Sequence, residues 1–118
     1  MAIAMEKNKT AIFVTKYGMG DAPEELSHLL LKNYLTLLKS ENRVPAYICF
    51  YADGVKCACS GSPVIEELKV LEQSGSKIFI CKTCLNYYEL LDSIEVGNTG
   101  TMLDIMDIQH HNKLLINL

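Results

Sequence analysis

Apolar and polar residues follow two patterns along this chain, and together the patterns predict an α/β protein. Three short apolar runs, rich in β-branched and aromatic residues, predict strands buried on both faces: residues 11–16, 46–52 and 77–81. A run at 113–117 and a weaker one at 94–97 predict two more strands. Helical patterns separate these runs, so we expect parallel pairing through right-handed crossovers. The predicted fold class is a three-layer α/β/α sandwich with a parallel sheet of about five strands.

The longest helical pattern runs from about residue 24 to residue 39. Its predicted inward face consists of apolar residues at helical spacing: Leu26, Leu29, Leu30, Tyr34, Leu37 and Leu38. Asp21 is the predicted cap, because a carboxylate accepts hydrogen bonds from the unpaired N–H groups at a helix start, and Pro23 suits the first turn.

Three further helices are predicted downstream. The second begins with Ser62-Pro63, ends at Gly75 and buries four apolar residues: Val64, Ile65, Leu68 and Leu71. The third starts near Thr83. The fourth starts near Thr101 and is predicted to bury Met102, Ile105 and Met106.

Length and charge narrow the class of protein. The 118 residues predict a single domain over 1–118, with residues 1–10 as a flexible N-terminal lead. The net charge of -3, without a basic cluster, argues against direct nucleic-acid binding. No apolar run reaches the roughly 18 residues of a membrane span. The first ten residues lack the apolar core of a secretory signal, so we expect a cytoplasmic protein. The odd number of cysteines, five, predicts reduced thiols rather than a disulfide framework.

Cys81 and Cys84 stand where a predicted strand turns into a helix. If Thr83 caps that helix, Cys84 takes its first position, where unpaired N–H groups and the helix dipole stabilise a thiolate. Lys82 adds a neighbouring cation. We therefore expect Cys84 to be the reactive thiol, with a lowered pKa, and Cys81 to be an alternative carrier or a resolving thiol.

Four kinds of site fit this pair of cysteines. A thioredoxin-type redox pair also opens a helix, but it normally follows the first strand and often has a Trp neighbour, which this chain lacks. A zinc site could add Cys57 and Cys59, although one intervening residue is a tighter spacing than usual. Both thiols could instead be structural. The fourth possibility, sulfur transfer, follows from a resemblance.

Stretches over nearly the whole chain carry that resemblance. They include "FVTKYGMGDAPEEL" and "FYADGVKCACSGSPVIEELKVLEQSGSKIFICKTCLNYYELLDSIEVGN". The most specific element is a spaced set that runs from Phe50-Tyr51 through Cys81-x-Thr83-Cys84 to Val96-Gly97. The chain, over about residues 11–118, resembles the DsrE-like family, most closely the C-terminal domain of the YedF proteins, which are sulfurtransferase-like and linked to selenium metabolism.

The resemblance implies an α/β/α sandwich that carries sulfur as a cysteine persulfide within a cytoplasmic homo-oligomer. The carrier position of the best understood members matches Cys81, and the extra cysteine of the YedF-like pattern matches Cys84. YedF proteins usually carry an N-terminal TusA-like sulfur-carrier domain, which we do not expect in this protein. The expected partners are therefore a TusA-like carrier or a cysteine desulfurase. We expect no metal and no organic cofactor.

The loops after the first two strands are predicted to form a rim around Cys81 and Cys84. The predicted substrate-binding residues come from these loops and from the following helix: Gly20, Gly54, Val55, Thr83 and Tyr87. The predicted function is sulfur relay by a persulfide carrier, which would make the protein a sulfurtransferase. The alternatives are a non-catalytic oligomerising or binding module, or a Cys-x-x-Cys thiol–disulfide redox protein.

Overall fold

A single parallel sheet organises the protein, whose computed structural model describes residues 9–118. Five strands form the sheet in the order β4-β3-β2-β1-β5: β1 (Thr10–Val14), β2 (Tyr47–Phe50), β3 (Lys77–Cys81), β4 (Asn98–Gly100) and β5 (Leu114–Asn117). All four strand pairs are parallel. The predicted three-layer α/β/α sandwich is confirmed.

Four helices and two 3₁₀ segments connect the strands. The helices are α1 (Glu24–Ser40), α2 (Ile65–Gln73), α3 (Lys82–Tyr87) and α4 (Met102–His111). The 3₁₀ segments are Ala52–Ala58 and Leu91–Ser93. Helices α1 and α2 lie side by side on one face of the sheet. The connection through α4 runs from the β4 edge to the β5 edge, so the right-handed crossover rule places α4 on the other face.

The fourth strand lies later in the chain than predicted. Residues 94–97 do not form a strand; Ile94 makes an isolated antiparallel bridge to Cys59, and Val96 enters the core. Gly97 has a φ of 81°, and a Cβ there would lie 2.7 Å from the side chain of Ile78. The apolar residues of this segment thus hold the chain against the core before it reaches the sheet. Pairing with β3 starts only at Asn98.

The inward face of α1 was mostly predicted wrongly. Leu26, Leu29, Leu30 and Leu37 are between 40% and 54% exposed. Leu38 is buried as predicted and Tyr34 is half-buried against the core, but the other buried residues are Ser27, Leu31 and Leu35. The helix carries two apolar stripes at helical spacing, and the sheet covers the one that contains Ser27. That serine fits because its hydroxyl donates to the Met19 carbonyl oxygen at 3.2 Å.

The predicted cap of α1 is also wrong. Pro23 occupies the N-cap position, and no side chain bonds the free N–H groups there. Asp21 instead accepts a hydrogen bond from Lys16 at 2.7 Å, which holds the pKa of Asp21 below its ordinary value. Because the proline side chain has no hydrogen-bond acceptor, α1 begins without a capping side chain.

The other helix boundaries agree better with the sequence. Gly75, with a φ of 114°, follows the end of α2, and Val64, Leu68 and Leu71 are buried as predicted. Thr101 caps α4 through a complete capping box with Asp104. However, α4 buries Ile105 and Ile108, whereas Met102 and Met106, both predicted to be core, are exposed.

Most of the expected N-terminal lead, residues 1–10, lies outside the described residues. Thr10 is already part of β1, and the Lys9 carbonyl oxygen accepts a hydrogen bond from the Lys113 N–H at 2.9 Å. Within residues 9–118, no helix is both long and apolar enough to cross a bilayer.

The two helix starts give a matched stability test. Thr101→Ala removes the hydroxyl that accepts the Asp104 N–H in the capping box and should lower the free energy of unfolding by about 1 kcal/mol. Asp21→Ala should cost clearly less, because Asp21 caps nothing. Urea unfolding of both variants measures the difference. An equal loss from the two substitutions would contradict the conclusion that Thr101 caps its helix and Asp21 does not.

Candidate functional site

The ends of β2 and β3 bring a backbone donor to a thiol. In a parallel sheet the carboxyl ends of adjacent strands meet at one edge. Here the chain leaving β2 passes the first turn of α3, and the Ala52 N–H donates to the Cys84 sulfur at 3.2 Å. The predicted meeting of the second loop with the cysteine pair is therefore observed, through a residue that the sequence did not single out.

Ala52 makes this contact in a left-handed conformation. Its φ is 53°, which costs a residue with a Cβ about 1 to 2 kcal/mol. Packing against β1 holds the turn in place: the Tyr51 N–H donates to the Val14 carbonyl oxygen at 3.2 Å. Gly54 lies so close that a Cβ would come within 2.0 Å of the same oxygen. Gly54 thus shapes the site through packing.

The start of α3 differs from the prediction. The helix begins at Lys82 with Cys81 as its N-cap, so the predicted cap Thr83 is already inside it and is exposed. Cys84 consequently takes the third helical position rather than the first. N-cap and third positions face each other, as in a capping box, so the thiols of Cys81 and Cys84 are close neighbours.

Access distinguishes Cys84 from the other thiols. All five cysteines are free, and Cys84 is the partly exposed one. The remaining four are buried: Cys49, Cys57, Cys59 and Cys81. A reagent or partner that approaches the folded protein therefore meets Cys84 first, with Cys81 directly beneath it.

The expected lowering of the Cys84 pKa is wrong. Burial raises the pKa of the Cys84 thiol above its ordinary value, and the neighbouring Cys81 thiol raises this pKa further. The Ala52 N–H opposes both effects, because it stabilises the thiolate. Cys84 is therefore mainly a thiol at neutral pH. Once deprotonated it is a strong nucleophile, since the intrinsic nucleophilicity of a thiolate increases with its pKa.

Three side chains form a cluster beside this contact. The Tyr88 hydroxyl donates to the Asp53 carboxylate, and Lys56 pairs with the same carboxylate at 3.7 Å. The Lys56 ammonium also lies 4.5 Å from the centre of the Tyr88 ring. None of the three is among the predicted substrate-binding residues. Position is a signal that could have added them, since Asp53 follows the second strand and Tyr88 lies one helical turn after Cys84.

The other predicted substrate-binding residues are dispersed. Gly20 is exposed and lines a shallow depression with Lys16 and Asp21, with no described contact to Cys84. Val55 is completely buried. Tyr87 is 81% exposed and touches the site only through the edge of the Tyr88 ring, 5.2 Å between centroids. As substrate contacts, all three stay predictions.

Cys57 and Cys59 do not extend the cysteine pair into a metal centre. The described residues contain no group of three or more potential ligands. The Cys57 thiol donates to the Lys16 carbonyl oxygen, and the Cys59 thiol donates to the Val55 carbonyl oxygen. Burial raises the pKa of Cys57 to about 12, so this thiol stays protonated.

A cavity of about 750 Å³ lies at the opposite edge of the sheet. The C-terminal ends of α1, α2 and α4 converge on it, and its lining includes Lys9, Lys39, Lys77 and His111. Helix C-termini are negative poles, which cations offset. These basic residues therefore have a structural role, and the cavity contains no thiol.

Comparison with solved structures supports the fold. The protein of unknown function MTH1491 from Methanobacterium thermoautotrophicum is 16% identical, with a TM-score of 0.69 over 92% of this chain and 97% of that one. The ychN protein from E. coli is 17% identical, with a TM-score of 0.65 over 92% of this chain and 98% of that one. Both are DsrE-like fold proteins. No protein-family profile and no curated protein sequence matches this chain significantly.

The access and pKa of Cys84 predict how the native protein reacts with iodoacetamide. Trypsin cleaves after Lys77 and Lys82, so Cys81 and Cys84 fall on separate peptides that mass spectrometry can follow. Cys84 should react first, at a rate that increases about tenfold per pH unit through neutral pH and has its midpoint above the ordinary cysteine pKa. A rate that is already constant below pH 7 would show a lowered pKa instead.

Proposed function

We propose that this protein is a sulfur carrier that holds a persulfide on Cys84. The observation that carries the proposal is the contact of the partly exposed Cys84 sulfur with the Ala52 N–H, made by a strained turn at the carboxyl edge of the sheet. Strained backbone that presents a donor to a thiol is characteristic of functional sites. The DsrE-like fold adds the expectation of sulfur relay.

The reaction needs no oxidant. The Cys84 thiolate attacks the outer sulfur of a donor persulfide; a bond forms between the Cys84 sulfur and that outer sulfur, and the donor's own sulfur–sulfur bond breaks. The donor thiolate leaves and takes up the proton that Cys84 has lost. The net change converts one thiol and one persulfide into another thiol and persulfide. The Ala52 N–H stabilises the thiolate that attacks and, later, the thiolate that remains after transfer.

Cys81 has a supporting role in this proposal. It is 1% exposed and cannot meet a donor protein directly. Its thiol lies next to that of Cys84, so it can attack the inner sulfur of the Cys84 persulfide, which releases hydrosulfide and leaves a Cys81–Cys84 disulfide. This step would reset an overloaded carrier, with a cellular dithiol as the reductant that reopens the disulfide.

Mass spectrometry of the intact protein tests the carrier. After incubation with a cysteine desulfurase and cysteine, the wild-type chain should gain the mass of one sulfur atom. Cys84→Ser should abolish the gain, because the attacking atom is lost. Cys81→Ser should keep the gain and lengthen its lifetime, because the resetting thiol is lost.

The controls separate the carrier from other sulfur adducts. Dithiothreitol should remove the added sulfur, and Cys49→Ser, at a buried position inside β2, should behave as wild type. Loss of the gain in Cys81→Ser alone would move the carrier role to Cys81. The absence of a gain in every variant, with either a desulfurase or a TusA-like persulfide as donor, would contradict the proposal.

A thiol–disulfide redox function is the second candidate. The proximity of the Cys81 and Cys84 thiols supports it, because two adjacent thiols can close a disulfide. The same preparations distinguish the two functions. A redox protein would cycle between the dithiol and the disulfide with a small oxidant and reductant, and it would retain no added sulfur.

We also propose that the chain self-associates through the flank formed by α1 and β5. Leu37, one of the four exposed leucines of α1, lines a groove of about 470 Å³ whose apolar lining also includes Tyr34, Leu114 and Ile116. β5 is an edge strand of the sheet, and Leu115 is exposed on it. An open edge strand flanked by apolar surface can pair with the same strand of a second copy about a two-fold axis.

A charge placed in this flank should dissociate the assembly. Leu37→Lys puts an ammonium into the groove, whereas the control Leu103→Lys puts one on α4, where the leucine is 63% exposed outside this flank. By light scattering, wild type and Leu103→Lys should have the mass of two or more chains and Leu37→Lys the mass of one. A wild-type protein of single-chain mass at micromolar concentration would contradict self-association.

A further inference from the structure

Two hydrogen bonds join α3 to the turn after β2 and enclose Cys84 between them. In the first, the Ala52 N–H donates to the Cys84 sulfur at 3.2 Å. In the second, the Tyr88 hydroxyl donates to the Asp53 carboxylate. Ala52 and Asp53 are consecutive, and Tyr88 lies one helical turn after Cys84, whose carbonyl oxygen accepts the Tyr88 N–H at 3.1 Å. A shift in one bond therefore displaces the other.

Neither element by itself fixes the Ala52 N–H. α3 is only six residues long, so it has few internal hydrogen bonds to resist movement. Ala52 is held in a left-handed conformation that its Cβ disfavours, so the turn relaxes if its contacts are removed. Gly54 secures the far side of the turn against β1. On the side of Cys84, the turn is held by the hydrogen bond between the Tyr88 and Asp53 side chains.

Lys56 supports this hydrogen bond between Tyr88 and Asp53. Its ammonium lies over the Tyr88 ring and pairs with Asp53, so it contacts both partners of the bond. The hydrogen bond to Asp53 also raises the pKa of Tyr88 above its ordinary value, which keeps the hydroxyl protonated as a donor at neutral pH.

We propose that Tyr88 is a positioning residue that, through Asp53, holds the Ala52 N–H against the Cys84 sulfur. The inference deepens the proposed function, since it rests on Cys84 as the working thiol. It assigns Tyr88 no contact with the transferred sulfur. Its effect is on the charge of the Cys84 sulfur, which also interacts electrostatically with the Cys81 thiol and the Tyr88 hydroxyl.

The first test is the pH profile of Cys84 alkylation in Tyr88→Phe, which removes only the hydroxyl. Because the Ala52 N–H is then held less firmly against the Cys84 thiolate, the midpoint of alkylation should move to higher pH. Labelling at pH 7 should fall about three- to tenfold, as expected for the loss of most of one hydrogen bond. Tyr47→Phe removes a hydroxyl at the opposite end of β2 and should leave the profile unchanged. A Tyr88→Phe midpoint equal to that of wild type, or below it, overturns the proposal.

A second pair of variants works even if Tyr88→Phe fails to fold. Asp53→Asn and Asp53→Ala both remove the charge, but only asparagine keeps an oxygen that can accept the Tyr88 hydroxyl. The Asp53→Ala midpoint should therefore lie above that of Asp53→Asn. Adding Tyr88→Phe to Asp53→Ala should change nothing more, because the bond is already absent. Equal midpoints for the alanine and asparagine variants overturn the proposal.

Alkylation requires no sulfur donor, so the two proposals fail separately. Sulfur loading of the wild type together with an unmoved Tyr88→Phe midpoint overturns the positioning role and leaves the carrier. A shifted midpoint without sulfur loading overturns the carrier and supports the positioning of Cys84 by Tyr88.

Discussion

The hydrogen bond from the Ala52 N–H to the Cys84 sulfur is the contact on which the site depends. It joins the turn after β2 to the helix after β3. It exists because Ala52, in that turn, has a left-handed backbone conformation. The strain of that residue is tolerated because the neighbouring peptides are held on β1, where the Val14 carbonyl oxygen accepts from Tyr51 and Gly54 packs against it. Three adjacent strands thus contribute to the position of one N–H group.

The same arrangement explains why Cys84 is accessible but not acidic. A short helix with a buried cysteine at its N-cap places Cys84 over Cys81, and the partial burial raises the Cys84 pKa. A carrier benefits from this balance, because a thiol of high pKa is protected from adventitious oxidation as long as it stays protonated. The thiolate that forms when a donor arrives is correspondingly nucleophilic.

Helix α1 shows how a strong apolar pattern can give the wrong inward face. Two stripes of leucines share the helix, and the stripe with more predicted core residues faces outward. Burial of Ser27 in the other stripe is explained by its bond to the Met19 carbonyl oxygen, which lies in the loop before the helix. Propensity and periodicity do not contain this information, because the acceptor reaches the serine only when the loop has folded back.

The sequence by itself determined the parallel α/β/α sandwich, four of the five strands closely, the end of α2 at Gly75, the start of α4 near Thr101 and the proximity of Cys81 to Cys84, because these follow from local periodicity and from spacing within one turn of chain. Only the tertiary structure decided the outward face of α1, the later start of β4 and the raised Cys84 pKa. The contact of Ala52 with Cys84, 32 residues apart, and the bond of Asp53 with Tyr88 belong to the same group. Each of these depends on which segments the sheet brings side by side, and burial and hydrogen bonding between distant segments leave no periodic signal in the chain.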